Sequence, residues 1–157
     1  MRKAILLTLS LCLFAGQLLF AQSEKNVPAV VTAAFQEKYP NMTVTDWDWE
    51  DDKNAYEAEF KMDGKEMEAF FSESGEWLKT KTELDKNQVP AAVSKAYSSG
   101  EYANWSKSNY MEMDTPDKGK LYKVKAEKGN AEHYLKYDAN GKLVEKMDKA
   151  EKKKMKK

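Results

Sequence analysis

The densest group of chemically able side chains in this 157-residue chain is the run TDWDWEDD, in which Asp46, Asp48, Glu50 and Asp52 interleave with Trp47 and Trp49. Carboxylates at alternate positions resemble the early ligands of a calcium loop, and Glu57 falls twelfth counting from Asp46, where such a loop places its bidentate ligand. Two features oppose that chemistry. Asp51 stands where the sharp turn demands glycine, and Trp47, Trp49 and Tyr56 favour an extended strand. Asp46, Asp48, Glu50 and Asp52 are therefore only a weak metal set, and a solvated acidic strand face is the stronger reading. Nucleophilic and acid–base chemistry finds less. The single cysteine, Cys12, lies in an N-terminal apolar run, and the single histidine, His133, alternates with Leu135 and Tyr137 like a packed strand residue. No His-x-x-x-His pair and no Gly-rich phosphate loop is present, and Ser72, Ser74, Ser98 and Ser99 sit in turn-like contexts. The chain reads as noncatalytic and without a cofactor.

Aromatic residues are the better candidates for recognition. Phe70 and Tyr134 fall out of phase with the apolar alternations Met67, Ala69, Phe71 and His133, Leu135, Tyr137, which puts them on the polar side of their strands. Trp77 and Tyr110 are expected near the same surface. Trp47 and Trp49 share one strand face opposite the acids; they either pack beneath a helix, the stronger reading, or form an aromatic pair ringed by carboxylates. These six residues, Phe70, Tyr134, Trp77, Tyr110, Trp47 and Trp49, are the candidate exposed aromatics for binding a protein or peptide partner.

The elements that must position them occur twice. VPAVVTAAFQEKYP from Val27 is echoed by VPAAVSKAYSSGEYA from Val89, and AYEAEFKMDGKEMEAFFSESGEWLKTKT by LYKVKAEKGNAEHYLKYDANGKLVEK. Val27 maps to Val89, Phe35 to Tyr97, Tyr56 to Tyr122 and Gly75 to Gly141, so the offset grows from 62 to 66 residues. A four-residue insertion thus lies between the helix and second strand of the second copy. Each copy opens on a helix started by Val-Pro, with Val30, Val31, Ala34 and Phe35, or Ala92, Val93, Ala96 and Tyr97, on one side. Tyr39-Pro40 ends the first helix, and Ser98, Ser99 and Gly100 predict a shorter or frayed second one. Period-two alternation then predicts about four antiparallel strands per copy, with tight turns at Asp63-Gly64, Ser74-Gly75, Gly129-Asn130 and Asn140-Gly141. The fold class is α+β: tandem αββββ units, joined edge to edge or packed side by side.

A duplicated unit with Val-Pro at the helix start, Ala-Phe or Ala-Tyr within it, Tyr-Pro after it, and strands punctuated by Asp-Gly and Ser-Gly resembles the bacterial PepSY-like proteins, relatives of β-lactamase-inhibitor-like sheet proteins. The resemblance spans roughly 27–146. It implies a β-lactamase-inhibitor-like fold and noncatalytic binding outside the cytoplasm, with inhibition of a secreted enzyme as one role. The second copy departs from the pattern, having Tyr102-Ala103 where the first has Tyr-Pro.

Residues 1–21 combine Arg2 and Lys3, an apolar run from Ala4 to Phe14, and Ala21 before Gln22, the pattern of a secretory signal cleaved near Ala21. The run is broken by Gly16 and Gln17, short of the roughly 20 apolar residues that span a bilayer. The expected organisation is 1–21 signal peptide, 22–86 first repeat, 87–146 second repeat and 147–157 Lys-rich tail. A mature chain without cysteine enters an oxidising compartment with no disulfide, so packing must stabilise it, and a module near 60 residues is marginal alone. Charge sums to zero, but residues 22–141 carry 16 lysines against 23 acids, whereas 142–157 carry 8 against 3. An acidic body sent out of the cytoplasm excludes nucleic acid as a partner. The tail reads as a solvated helical end, with weak contact to an anionic surface as its sharper alternative. Three function classes follow: a modulator or inhibitor of an exported enzyme such as a peptidase, acting through the sheet face opposite the helices; a small-ligand or ion sensor; and an envelope-associated structural protein. Partner identity and oligomeric state are not encoded legibly.

Overall fold

The computed structural model of the chain describes residues 27–148. The signal-peptide expectation, including its cleavage point, and residues 149–157 of the tail fall outside the described residues. Two αββββ repeats follow one another: α1 (Ala29–Lys38), β1 (Val44–Glu50), β2 (Ala55–Met62), β3 (Lys65–Phe71) and β4 (Trp77–Leu84), then α2 (Ala91–Ser99), β5 (Ser106–Thr115), β6 (Gly119–Lys128), β7 (Ala131–Asp138) and β8 (Leu143–Asp148). The repeats join edge to edge. All eight strands form one antiparallel sheet in sequence order, with β4 hydrogen-bonded to β5 from Thr80↔Asp114 to Leu84↔Tyr110. Joining at β4 and β5 removes two open strand edges that would otherwise template aggregation.

Both helices cover the same kind of surface. Val31 and Phe35 of α1 are fully buried against Ala58, Phe60, Ala69 and Phe71, and Val93 and Tyr97 of α2 against Val124, Ala126, Leu135 and Tyr137. Phe35 is the hub of the first core, in edge-on contact with Phe60 at 5.1 Å and Phe71 at 6.3 Å. Its counterpart Tyr97, near Tyr110, brings phenols into the second core, and burial pushes the Tyr137 hydroxyl up to about 12, aided by Tyr102 and Tyr97. The repeat extends to single atoms. Gly75 (φ +83°) passes under Val30 and Gly141 (φ +82°) under Ala92, where an added Cβ would lie 2.9 Å and 2.4 Å from the respective carbonyl oxygens. Only glycine tolerates both the left-handed backbone and that approach, so each third hairpin is clamped to its own helix.

The insertion in the second copy lies where the offset places it. β5 has ten residues against seven in β1, with a register shift between Ser108 and Met111 and Asn109 at φ 49°. α2 ends at Ser99, one residue shorter than α1. Pro28 and Pro90 are the N-cap residues themselves rather than first-turn residues, and their carbonyls accept the opening helical bonds, such as Ser94 N–H at 2.9 Å. No described helix is long and apolar enough to cross a membrane.

Candidate functional site

With both helices on one side, the other side of the sheet carries the alternate residues of eight strands. The Asp63-Gly64 turn, both residues at positive φ, fixes the β2–β3 register at Met62↔Lys65 and therefore sets Glu57 opposite Phe70. A register shift between Phe70 and Phe71 then aligns Phe70 with Lys79, and Glu68 with Lys81. Beyond β4 the same face continues through Met113 beside Lys81, Met111 beside Glu83, and Tyr134 beside Lys125 and Met147.

The first repeat's part of this face is a cluster of lysines and carboxylates around one ring. Phe70 has no exposed surface: the ammonium groups of Lys81, Lys53 and Lys79 lie 4.2, 4.7 and 4.7 Å from its centroid. Lys81 is paired with Glu68, and Lys53 with Glu50 and, at 3.6 Å, with Glu57. Burial pushes the Glu57 carboxyl up to about 7; Lys81 and Lys53 oppose the rise and neighbouring Glu68 adds to it. Burial acts on Glu68 in the same sense, but the hydrogen bond and charge of Lys81 outweigh it and hold that carboxyl below its usual range. Lys79 is pushed down by burial and by repulsion from Lys81, Lys53 and Lys136 of β7. A hollow of about 180 Å³ adjoins the cluster, bounded by Glu59, Lys61, Glu66, Glu68, Lys81 and Met111. It is smaller than the roughly 300 Å³ at which small-molecule sites begin. On the helix side, a cleft of about 300 Å³ lies between the repeats, but its polar groups are engaged with one another: Lys120 with Glu112 at 2.7 Å, and Thr80 with Tyr39 and Trp77.

The six aromatic candidates do not form one surface. Tyr134 stands on the helix-free face, half-buried, with Lys123 5.7 Å from its ring. Phe70 is on that face too, but the expectation that it is exposed is corrected by the lysine stems that cover it. Trp77 and Tyr110 are on the opposite side. The β3–β4 shift sets Trp77 against Phe71, where its indole N–H donates to Thr80 Oγ1 at 2.9 Å and Lys38 sits 3.3 Å above its ring. The β5 shift turns Tyr110 into the second core, 9% exposed. Trp47 packs edge-on against Phe35 at 5.8 Å and Trp49 against Tyr56 at 4.8 Å, so both belong under or beside α1. The acidic run is strand as far as Glu50 and turn at Asp52: Asp46 pairs with Glu59 and Asp48 with Glu57, so Asp46, Asp48 and Glu50 are spaced about 7 Å apart along β1 and do not converge on one ion. Among the described residues no three His, Cys, Asp or Glu side chains come together as metal ligands. His133 is half-buried on the helix side of the second repeat's strands, opposite Ala126 and 4.9 Å from the Trp105 ring, with Nδ1 2.5 Å from Asp148 Oδ1.

Sequence reasoning missed Lys53, Glu57, Glu68, Lys79 and Lys81 as a group. The signal for Glu57 beside Phe70 was present in the Asp-Gly turn, which sets that pairing. It also missed Lys107, whose ammonium gathers the carbonyls of Tyr102, Ala103 and Trp105 and so ties down the long α2–β5 connection.

The model of a family described as "Putative beta-lactamase-inhibitor-like, PepSY-like" matches residues 20–67 and 54–145, two overlapping stretches. Similar solved structures include a BLIP-like protein from Bacteroides fragilis NCTC 9343, 28% identical with a TM-score of 0.71, covering 78% of this chain and 86% of that one. A DUF2874 family protein from Bacteroides ovatus ATCC 8483 is 27% identical with a TM-score of 0.71, over 77% of this chain and 86% of that one. A protein from Bacteroides eggerthii DSM 20697, described as one of the "putative periplasmic proteins", shares the fold at 23% identity and a TM-score of 0.67, over 78% and 88% of the two chains. No curated protein matches the chain.

Proposed function

The chain belongs to the PepSY-like, β-lactamase-inhibitor-like family, and from that premise we propose that it is a noncatalytic binding protein, periplasmic or secreted, that engages a protein or peptide partner with the sheet face opposite its helices. The role we assign is inhibition or modulation of an exported enzyme such as a peptidase. The observation that carries the reading is the continuity of that face across both repeats. Eight strands about 4.8 Å apart, of six to ten residues at about 3.3 Å per residue, offer on the order of 1,000 Å². That covers the roughly 800 Å² that one partner contributes to a stable protein–protein interface. The hollow within the face is too small for a typical small ligand, which favours a protein partner over the sensor alternative. Kinship with a BLIP-like protein and with one described as periplasmic supports the compartment and the binding role.

The test is affinity capture from the native envelope fraction with the mature chain, comparing Tyr134→Ala on the sheet face with Val30→Ala on the outer side of α1, where Val30 is half exposed. A single salt-resistant partner should be retained by Val30→Ala and lost or weakened by Tyr134→Ala. Capture that depends on Val30 and ignores Tyr134 would move the interface to the helices, and diffuse capture that salt abolishes would reassign the protein to surface association through its Lys-rich tail.

A further inference from the structure

The cluster around Phe70 is uneven in its pairing. Lys53 and Lys81 each have a carboxylate partner, and Lys136 has Glu145 at 2.9 Å, but among the described residues Lys79 has no carboxylate within ion-pairing distance. Its ammonium lies half-buried over the Phe70 ring and in the repulsive field of the other three lysines. Desolvated like charges are unfavourable in the free protein, and an incoming anion that pairs with Lys79 compensates the desolvation and offsets the repulsion. The nearest acids are committed: Glu68 to Lys81, and Glu57 to Lys53, beside Phe70. A cation over an aromatic floor, one same-face step along β4 from Lys81, which pairs with Met113, fits a carboxylate carried on an otherwise uncharged side chain better than a free inorganic anion.

Resting on the reading of this face as the partner surface, we propose that the partner presents an acidic segment there, with one Asp or Glu side chain paired with Lys79. Lys79 is half-buried and holds one position on the face, so the pair fixes where along the face the partner docks. Glu57, which faces Asp48 of β1, Glu68 of β3, Lys81 of β4 and Lys53 of the β1–β2 turn, gains charge near neutrality and then competes for Lys79 as for its neighbours. Binding is therefore tighter at pH 6 than at pH 8.

The test uses the full mature chain with methyl-labelled methionine, titrated with N-acetylated, amidated hexaglutamate and observed by NMR. Met113 reports the sheet face and Met155 the Lys-rich tail, where an acidic peptide also collects. Hexaglutamate should shift Met113 saturably, and Lys79→Gln should weaken that titration fivefold or more while leaving the Met155 shift unchanged. Lys79→Gln removes an unfavourable charge and keeps part of the stem over Phe70, so its Tm should stay within a few degrees of the parent, which a melting curve verifies. A Met113 titration identical in parent and variant, or movement of Met155 alone, overturns the proposal. The envelope capture separates the two levels. Partner loss in Tyr134→Ala with full retention in Lys79→Gln refutes the acidic docking point and keeps the face; retention in both variants refutes both.

Discussion

Phe70 illustrates how a single position can be read correctly for direction and wrongly for environment. Alternation along β3 sets it on the side away from Ala69 and Phe71, as period two requires, but three lysine stems bury it as completely as a core residue. Phe70→Ala should therefore destabilise by about 3 kcal/mol, in the range of buried Phe truncations, whereas Tyr134→Ala should cost less than about 1 kcal/mol; urea titration of the two variants checks the contrast. Glu57 gives the pH dependence at the same scale. Its folded-state carboxyl is raised to about 7 from an ordinary value near 4.5, so between those pH values the folded protein holds a proton that the unfolded chain has lost. Stability from this group is highest below about pH 4.5 and falls as pH rises toward 7, then levels off. Glu68, held low, works in reverse, adding stability above the ordinary carboxylate range and losing it as pH falls. Glu57→Gln should flatten the decline between pH 5 and pH 7.5 in urea midpoints, and a variant that declines as the parent does would reassign the effect.

The elements themselves were largely legible, and the physical reasons differ from case to case. Helix starts were marked by Val-Pro, strands by strict alternation, and hairpins by Asp-Gly and Asn-Gly, since these residues alone adopt the backbone those turns need. What could not be read were the register shifts. A bulge adds a residue to one strand without a signature in composition, so the shift at Phe70/Phe71 that turns Trp77 to the helices and the one at Ser108/Met111 that buries Tyr110 both reversed a sequence expectation. The lysine–carboxylate cluster was hidden for the same reason, because the alignment of Lys79 with Phe70 exists only after the β3–β4 shift. The glycine clamps are testable at this scale. Gly141→Ala forces a Cβ to 2.4 Å from the Ala92 carbonyl oxygen, whereas Gly64 has the same backbone sign with nothing within 4 Å. Gly64→Ala should cost about 1 kcal/mol from backbone strain alone, and Gly141→Ala distinctly more, with loss of Tm ordered accordingly.

At the scale of the molecule, two cores, each too small to be secure alone, are tied together by the β4–β5 ladder. Unfolding should be a single transition in which tryptophan fluorescence, concentrated in the first repeat at Trp47, Trp49 and Trp77, and far-UV dichroism coincide; two separated transitions would mean that the repeats fold independently. Edge joining also leaves the helix-free side continuous across both repeats, and the binding account depends on that continuity. The methionines allow a direct test of it, because Met111, Met113 and Met147 alternate onto that side while Met62 and Met67 pack under α1. The decisive measurement is a methyl NMR titration of the methionine-labelled mature chain with the captured partner. The account predicts that Met111 and Met113 shift or broaden on binding while Met62 and Met67 hold their positions; perturbation of Met62 and Met67 with Met111 and Met113 unmoved would contradict it.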